Sequence, residues 1–336
     1  MNTRKLGIIE VSPIGMGCMG LSHGYGKIPS RDYSINAICK AYDFGCTFFD
    51  TAESYGPNLL PENRGHNESI VGEAVHAFRK EVVLATKLHL NITEVSSNGL
   101  KTVMREHLTA SLKRLQTDYV DIYYLHRINP EIPVEDVAEV MGTFIQEGLI
   151  RGWGLSQVDV DTIDRANAVT PLSAIQNIYS MVERGVEEKV IPYCLKHHIG
   201  LVPFSPIASG FLSGKVTVNS NFFHSDDVRK FVPQLQKENI EANSPILELL
   251  DRYAERKNAT KAQISLSWML HKYPNVVPIP GSKNQERILE NLGAWNVILT
   301  EEEFAALDAA LNQIPVHGHR GFVEQQGDSM KNWNCK

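Results

Sequence analysis

The chain is expected to fold as an α/β protein of the (β/α)8 TIM barrel type, in a single domain, and three observations carry that expectation. Short apolar, β-prone runs alternate with helix-period stretches along the whole length, with turn residues between them. Counting residues 14–19 as the first strand, eight such strand/helix units follow one another, which favours a closed barrel over a doubly wound sheet. Strand after strand also ends on a polar residue, at Asp50, Lys87, His126, Ser156, Gln176, Ser205 and Ser282. In a barrel of this kind the C-terminal strand ends are where chemistry collects.

Taken in order, residues 3–11 read as a short hairpin ahead of the first strand. A helix over 31–44 leads to a strand ending at Asp50, and a polar loop (57–66) and a helix over 67–77 lead to the strand 81–87. Next come a helix over 99–115, the strand 119–126, a helix over 134–147 and the strand 150–156. A helix over 159–168, the strand 173–177, a helix over 186–197 and the strand 200–205 continue the alternation. A polar insert over 215–240 precedes helices over 244–257 and 260–272, the strand 276–279 and a last helix from about Asn284. No linker, low-complexity tract or repeat divides residues 1–336, so one domain is expected, with a variable tail from about 315.

Bulk properties exclude several function classes. A net charge of −6 without a basic block argues against nucleic acid and anionic membrane surfaces as partners. The longest uncharged run, 199–214, is broken by Pro203, Pro206 and several Gly and Ser, which excludes a membrane span. The first residues carry charge without an apolar stretch behind them, so no secretory signal is expected. Five cysteines (18, 39, 46, 194 and 335) without Cys-x-x-Cys spacing suit free thiols in a reducing cytoplasm. The residues assign no oligomeric state.

Gly15, Gly17 and Gly20 satisfy the spacing of a dinucleotide-binding fingerprint, but no helix opens at the last glycine; helical periodicity waits until about Arg31. A Rossmann site is therefore not expected. The stretch Cys46–Gly56, Cys-Thr-Phe-Phe-Asp-Thr-Ala-Glu-Ser-Tyr-Gly, is more informative. Its apolar strand ends on Asp50, and Tyr55 follows on a tight loop. Alone, the stretch reads equally well as a turn-capping Asp and a half-buried loop aromatic.

Lys87 closes the apolar run Val82–Thr86, where a lysine is costly to bury without a partner, and Asp50 on the neighbouring strand is that partner. An ammonium about 4 Å from the Tyr55 phenol, at an effective dielectric near 20, is worth roughly 4 kcal/mol, or about three pKa units. That would bring the phenol towards neutrality, where it can give a proton to a carbonyl oxygen and take it back. His126 at the next strand end would orient that oxygen. A structural ion pair and a core histidine are the alternatives for each residue singly; four such residues at adjacent strand ends favour chemistry.

With these motifs assembled, the chain resembles the aldo-keto reductases, (β/α)8 oxidoreductases that use a nicotinamide cofactor. The likeness runs from Arg4-Lys-Leu-Gly7 through Phe48-Phe-Asp-Thr-Ala-Glu-Ser-Tyr-Gly56, Ala85-Thr-Lys87, Tyr124-Leu-His126, Gly154-Leu-Ser156 and Pro203-Phe-Ser-Pro206 to Pro278-Ile-Pro-Gly-Ser-Lys283. It implies a catalytic tetrad of Asp50, Tyr55, Lys87 and His126, with Tyr55 as general acid and no metal. It also implies reversible reduction of a small-molecule aldehyde or ketone, with NADPH as cofactor.

The resemblance further implies that Ser156 and Gln176 hold the nicotinamide carboxamide, with Asp50 beside them, and that Phe204 stacks on the ring; Gln157 stands where the family often has Asn. Ser205, Pro206, Ile207, Ala208 and Gly210, with Lys215 beyond, match the loop over the pyrophosphate, and Cys18 and Met19 match first-strand contacts. Around Gly281 and Ser282, Lys283 and Arg287 suit an adenosine 2′-phosphate at a helix N-terminus, and Glu290 and Asn291 suit the adenine. The competing expectation is a nucleotide-sensing channel subunit on the same barrel with little turnover, against which His126 weighs. A metal-dependent hydrolase is the other rival. His317-Gly-His319 and His197-His198 invite a metal reading, but the first lies in the tail and not on a strand end, and adjacent histidines do not easily share one ion. Substrate choice is assigned to loops 21–29, 57–66 and 215–240 and to the tail after Pro315, where Phe322, Trp333 and Cys335 either cover the mouth or stay disordered.

Overall fold

A two-stranded antiparallel hairpin, β1 (Arg4–Leu6) and β2 (Ile9–Val11), opens the chain in the computed structural model, which describes residues 3–58, 60–222 and 227–321. Leu6, Ile9 and Val11 join the buried cluster that fills the barrel, so the hairpin plugs its floor. Seven parallel strands then pair strictly in chain order. They are β3 (Met16–Gly17), β4 (Phe48–Asp50), β5 (Val83–Leu88), β6 (Val120–Leu125), β7 (Ile150–Ser156), β8 (Ala174–Gln176) and β9 (Gly200–Leu201).

The expected eighth strand, 276–279, is not a regular strand, and its composition gives the reason. Pro278 and Pro280 have no N–H to contribute to a ladder. Their carbonyls still accept from Gly15 and Gly17, at 2.9 and 3.4 Å, while Val277 and Ile279 donate to Leu201 and Pro203. Isolated bridges Leu201–Val276 and Gly17–Gly281 close the barrel. Closure brings the backbones so near that a Cβ on Gly17 would lie 2.8 Å from the Ile279 carbonyl oxygen, and one on Gly281 would lie 2.9 Å from that of Gly17. These glycines serve backbone approach, which explains why the fingerprint spacing has no Rossmann helix behind it. The expected strand 200–205 shortens to two residues because Pro203 interrupts it, and pairing resumes as the single bridge Ile178–Phe204.

Helices cover the outside: α1 (Arg31–Asp43), α2 (His66–Val75), α3 (Ile92–Asn98), α4 (Leu100–Leu115), α5 (Val134–Gln146), α6 (Val160–Val169) and α7 (Val190–Lys196). They continue as α8 (Lys237–Ala242), α9 (Ser244–Lys257), α10 (Lys261–Lys272), α11 (Gln285–Leu292) and α12 (Glu301–Leu311). Side-chain caps from Ser30, Asp159, Thr260, Asn284 and Thr300 fix where α1, α6, α10, α11 and α12 begin. Three elements differ from expectation. Asn91 caps an extra helix, α3, which Gly99 at φ 81° separates from α4. The insert 215–240 contains the start of α8. A final helix, α12, follows α11, opened by a capping box between Thr300 and Glu303.

The tail begins by docking on the insert. Asn243 and His317 exchange two hydrogen bonds of 2.8 Å, and the Gln234 N–H donates to the His319 carbonyl at 3.1 Å. Phe322, Trp333 and Cys335 lie outside the described residues.

Side-chain parity in the wall places the site. Phe48, Val83, Ala85, Ile122, Tyr124, Ala174 and Val202 face the barrel interior, while Phe49, Leu84, Tyr123, Leu155, Ile175 and Leu201 pack against the helices. Continuing each inward row by two residues, the period of a strand, reaches Asp50, Lys87, His126, Gln176 and Phe204. The polar strand ends therefore share the inward face and meet above the apolar plug.

Candidate active site

Asp50 and Lys87 sit on neighbouring strands, with Asp50 registered against Ala85 two residues before the lysine. The Lys87 ammonium, fully buried, donates to Asp50 Oδ1 at 2.5 Å, to the Thr51 carbonyl at 2.7 Å and to the Tyr55 hydroxyl at 3.2 Å. Gln176 donates its side-chain amide to the other Asp50 oxygen at 2.8 Å. The Tyr55 ring stands edge-on to His126, with centroids 5.7 Å apart, and His89 lies tilted against the same imidazole at 4.3 Å. Asp50, Tyr55, Lys87 and His126 are thus brought together at one mouth.

The loop carrying Tyr55 is held from below. The Glu53 carboxylate accepts from Arg64 at 2.7 Å, from the His89 backbone N–H at 2.9 Å, and contacts His107 Nδ1 at 3.0 Å. Burial pushes the Glu53 pKa up, but the hydrogen bond and charge of His107, with Arg64, bring it below the usual carboxylate value.

The electrostatics differ from expectation at the phenol. Burial, the largest influence, raises the Tyr55 pKa, and the Lys87 ammonium only offsets part of that rise. The phenol therefore does not move towards neutrality; it holds its proton more firmly than in water. For Lys87, burial disfavours the charge but Asp50 and Tyr55 outweigh it, so its pKa is raised and the ammonium persists. Burial lifts Asp50 above the ordinary carboxylate value against the pull of Lys87 and Gln176. Burial, then His89, Arg127 and Lys87, pushes His126 well below its usual value, leaving a neutral ring with Nδ1 3.5 Å from the Ser54 hydroxyl.

The residues assigned to a cofactor fall into two groups. Ser156, Gln176 and Phe204 line the mouth beside the tetrad, but Ser156 accepts from Arg127 at 2.9 Å and Gln176 is engaged with Asp50. Gln157, at φ 59°, accepts from the Ile178 N–H at 3.0 Å, so its side chain serves the backbone of the next loop. Cys18 donates its N–H to the Asp50 carbonyl at 2.9 Å; its thiol is buried, which pushes its pKa up. Met19 begins a short turn beyond it.

The stretch Ser205–Gly214 carries left-handed backbone at Ser205 (φ 53°), Ala208 (48°), Ser209 (54°), Gly210 (99°) and Gly214 (68°). Such conformations at non-glycine residues store strain, and the N–H groups of Ala208, Gly210 and Gly214 turn back to the carbonyls of Ser205, Ile207 and Phe211. The Ser209 hydroxyl, which the sequence did not single out, is buried there without a hydrogen-bond partner. Pro206 and Ala208 are buried, Ile207 half-buried, and Lys215 exposed just beyond.

At the other end, Lys283 donates to the carbonyls of Tyr25 and Lys27, at 2.8 and 2.9 Å, tying down loop 21–29. Beside it an open pocket is lined by Lys27, Ser30, Tyr33, Lys283 and Asn284. Arg287 is exposed in the first turn of α11, where Asn284 caps the helix; Ser282 accepts from the Asn284 N–H, and Glu290 and Asn291 follow on the same helix. Three mouth residues escaped the sequence: His89, one residue past β5; Arg127, immediately after His126; and Arg320, whose Nε donates to the Ser205 hydroxyl at 3.0 Å. The inward parity that yields His126 does not extend to Arg127, and Arg320 lies in a tail without periodicity. Among the described residues no group of three or more His, Cys, Asp or Glu gathers as metal ligands.

Comparison with known proteins agrees with this architecture. The model of the aldo/keto reductase family matches residues 13–312. A probable aldo-keto reductase from Glycine max is 35% identical over 322 residues, covering 94% of this chain and 90% of the relative. A glycerol dehydrogenase from Gluconobacter oxydans superposes with a TM-score of 0.81 at 26% identity, covering 93% of this chain and 95% of the other. An aldo-keto reductase from Klebsiella pneumoniae in complex with NADPH superposes with a TM-score of 0.71 at 26% identity, covering 95% and 99%. With the barrel, the mouth geometry and a family match over nearly the whole length, the chain belongs to the aldo/keto reductase family of oxidoreductases.

Proposed function

We propose that this chain reduces an aldehyde or ketone to the alcohol with NADPH, and that Tyr55 protonates the carbonyl oxygen. The observation that carries the reading is the Lys87 ammonium, clamped by Asp50 and 3.2 Å from the Tyr55 hydroxyl at the barrel mouth. Because burial raises the phenol pKa, Tyr55 stays protonated at neutral pH, the form a proton donor needs. The ammonium then stabilises the phenolate left behind, where low dielectric makes one charge count most. Neutral His126 orients the carbonyl oxygen by a hydrogen bond without competing as an acid.

Bound NADPH would supply the hydride to the carbonyl carbon. Its fit rests on the strained loop at 205–210, where the buried Ser209 hydroxyl has no hydrogen-bond partner, and on the basic pocket beside α11. Ser205, Pro206, Ile207, Ala208, Gly210 and Lys215 would hold the pyrophosphate, and Ser156, Gln157, Gln176 and Phe204 the nicotinamide, with Cys18, Met19 and Asp50 beneath. Lys283 and Arg287, with Gly281 and Ser282, would take the 2′-phosphate, and Glu290 and Asn291 the adenine. For Lys283 this means sharing its ammonium with the loop carbonyls it already holds. The Klebsiella pneumoniae relatives, in complex with NADP and acetate and with NADPH, support the same choice of nucleotide.

The test is absorbance at 340 nm with NADPH and a panel of aldehydes and ketones. Oxidation that requires the carbonyl and disappears in Tyr55→Phe is the expected result. NADPH binding without oxidation across the panel would instead favour a nucleotide-sensing subunit.

A further inference from the structure

Two guanidinium groups far apart in sequence, one following β6 and one in the tail, lie at the mouth. Arg127 directs Nη1 to neutral acceptors, the His126 carbonyl at 2.5 Å and the Ser156 hydroxyl at 2.9 Å, and its cation stands 5.8 Å from the centre of the Phe204 ring. Arg320, buried to 8% exposure, bonds the hydroxyl of the next residue, Ser205. The two cations thus lie against consecutive residues of one loop, Phe204 and Ser205, and Arg127 is near enough to Arg320 to feel its charge. Arg127 also acts electrostatically on Tyr55, His126 and His89.

Neither guanidinium meets a carboxylate among the described residues; the Glu183 carboxylate accepts the Arg320 backbone N–H at 2.9 Å instead. Arg64, Arg79, Arg114, Arg151 and Arg184 each pair with an acid, and Arg4, which does not, is saturated by the carbonyls of Leu270, Tyr273 and Val276, away from any second cation. Withdrawing two like charges from water beside each other is unfavourable unless an anion joins them. Paired guanidinium forks match the oxygens of a carboxylate or phosphate group.

We infer that the carbonyl substrate carries an anionic group, and that Arg127 and Arg320 hold it at the barrel mouth while Tyr55 faces the carbonyl. This rests on the reductase reading above and specifies its substrate class. Both arginines are binding residues here, acting on the part of the substrate that does not react.

The probe is 4-formylbenzoate against its methyl ester, followed by NADPH oxidation and by calorimetric titration. The expected result is a kcat/KM at least about tenfold higher for the anion, carried mainly by KM. Arg127→Gln and Arg320→Gln should each erase that ratio, and Arg320→Lys should restore part of it, with the melting temperature of each variant recorded to show that it folds. Equal kcat/KM for the two compounds, or a ratio that survives in both Gln variants, overturns the inference. So does Arg320→Gln weakening NADPH binding while the ratio stays unchanged, since the guanidinium would then serve the nucleotide. If neither compound oxidises NADPH, the carbonyl panel above decides the reductase reading and titration decides the anion site. Binding of 4-formylbenzoate that both Gln variants abolish supports it, and absence of binding overturns it.

Discussion

Two aspartates on the barrel wall are both buried and both paired with a cation, yet only one sits where chemistry is possible. Asp121, on β6, points outward, where Arg79 meets one of its oxygens at 2.9 Å, Arg151 meets the other at 3.1 Å and the Leu84 N–H donates at 2.9 Å. Arg79 in turn donates to the carbonyls of Val82 and Tyr119, so its charge is spent on backbone. Asp50, on β4, points inward at the opposite end of the barrel, and its partner Lys87 keeps a third hydrogen bond for a phenol. A closed ion pair fastens strand to helix layer, whereas an ion pair with one bond left over can support proton transfer. In a barrel the N-terminal face is the place for the first and the C-terminal face for the second.

Removing the phenol is the sharpest way to break that contrast. Tyr55→Phe deletes only a hydroxyl bonded to Lys87, so we expect carbonyl reduction to fall by about a thousandfold or more, the range of a lost general acid. NADPH affinity should stay within a few fold and the urea midpoint nearly unchanged. Retained turnover would show that another group supplies the proton.

Asp121→Ala should give the mirror image. It leaves the Arg79 guanidinium, in a residue only 8% exposed, without its carboxylate, which for a buried pair costs about 3 kcal/mol or more. Stability by urea unfolding should drop by that order, while kcat of the remaining folded enzyme stays within about twofold. A large loss of kcat at full folding would mean that the outer pair also positions the mouth.

The same contrast explains how much the sequence discloses. Asp50, Lys87, His126 and Gln176 were legible because each ends an apolar run, and a strand's period of two puts them on one face. Tyr55 was legible from loop length. The rise in its pKa was not, since it comes from the closeness of packing around the phenol, which neighbours in sequence do not report. The eighth strand was legible as a segment but not as bridges, because proline supplies acceptors without donors. Helix α12 had a readable signal, the Thr300–Glu303 capping box, whereas Arg320 had none, since a tail docks through tertiary contacts alone.

Acid should act on the mouth through its imidazoles. Burial, with Arg127 next, lowers the His89 pKa from 6.5 to about 4. As the pH falls through that window the unfolded chain binds a proton that the folded chain refuses, so stability declines between about pH 6.5 and about pH 4. His126, also held well below its usual value, adds in the same direction. Urea midpoints measured across this range should fall with pH, and His89→Gln should flatten part of the slope. A slope unchanged by the substitution would place the acid sensitivity elsewhere.

The smallest effect belongs to an ion pair whose distance equals that at the mouth. Arg31 and Glu73 approach to 2.5 Å, as Lys87 and Asp50 do, but their side chains are 44% and 49% exposed. Water screens the attraction and both long side chains lose freedom to form it, so such pairs contribute less than about 1 kcal/mol. Arg31→Ala should therefore shift the urea midpoint only marginally, and less still in high salt, with turnover unchanged. A loss approaching that of Asp121→Ala would mean that Arg31 also holds α1 against α2 through its bond to the Ser69 carbonyl, at 3.1 Å. Burial, not separation, sets this pair apart from the two on the barrel wall.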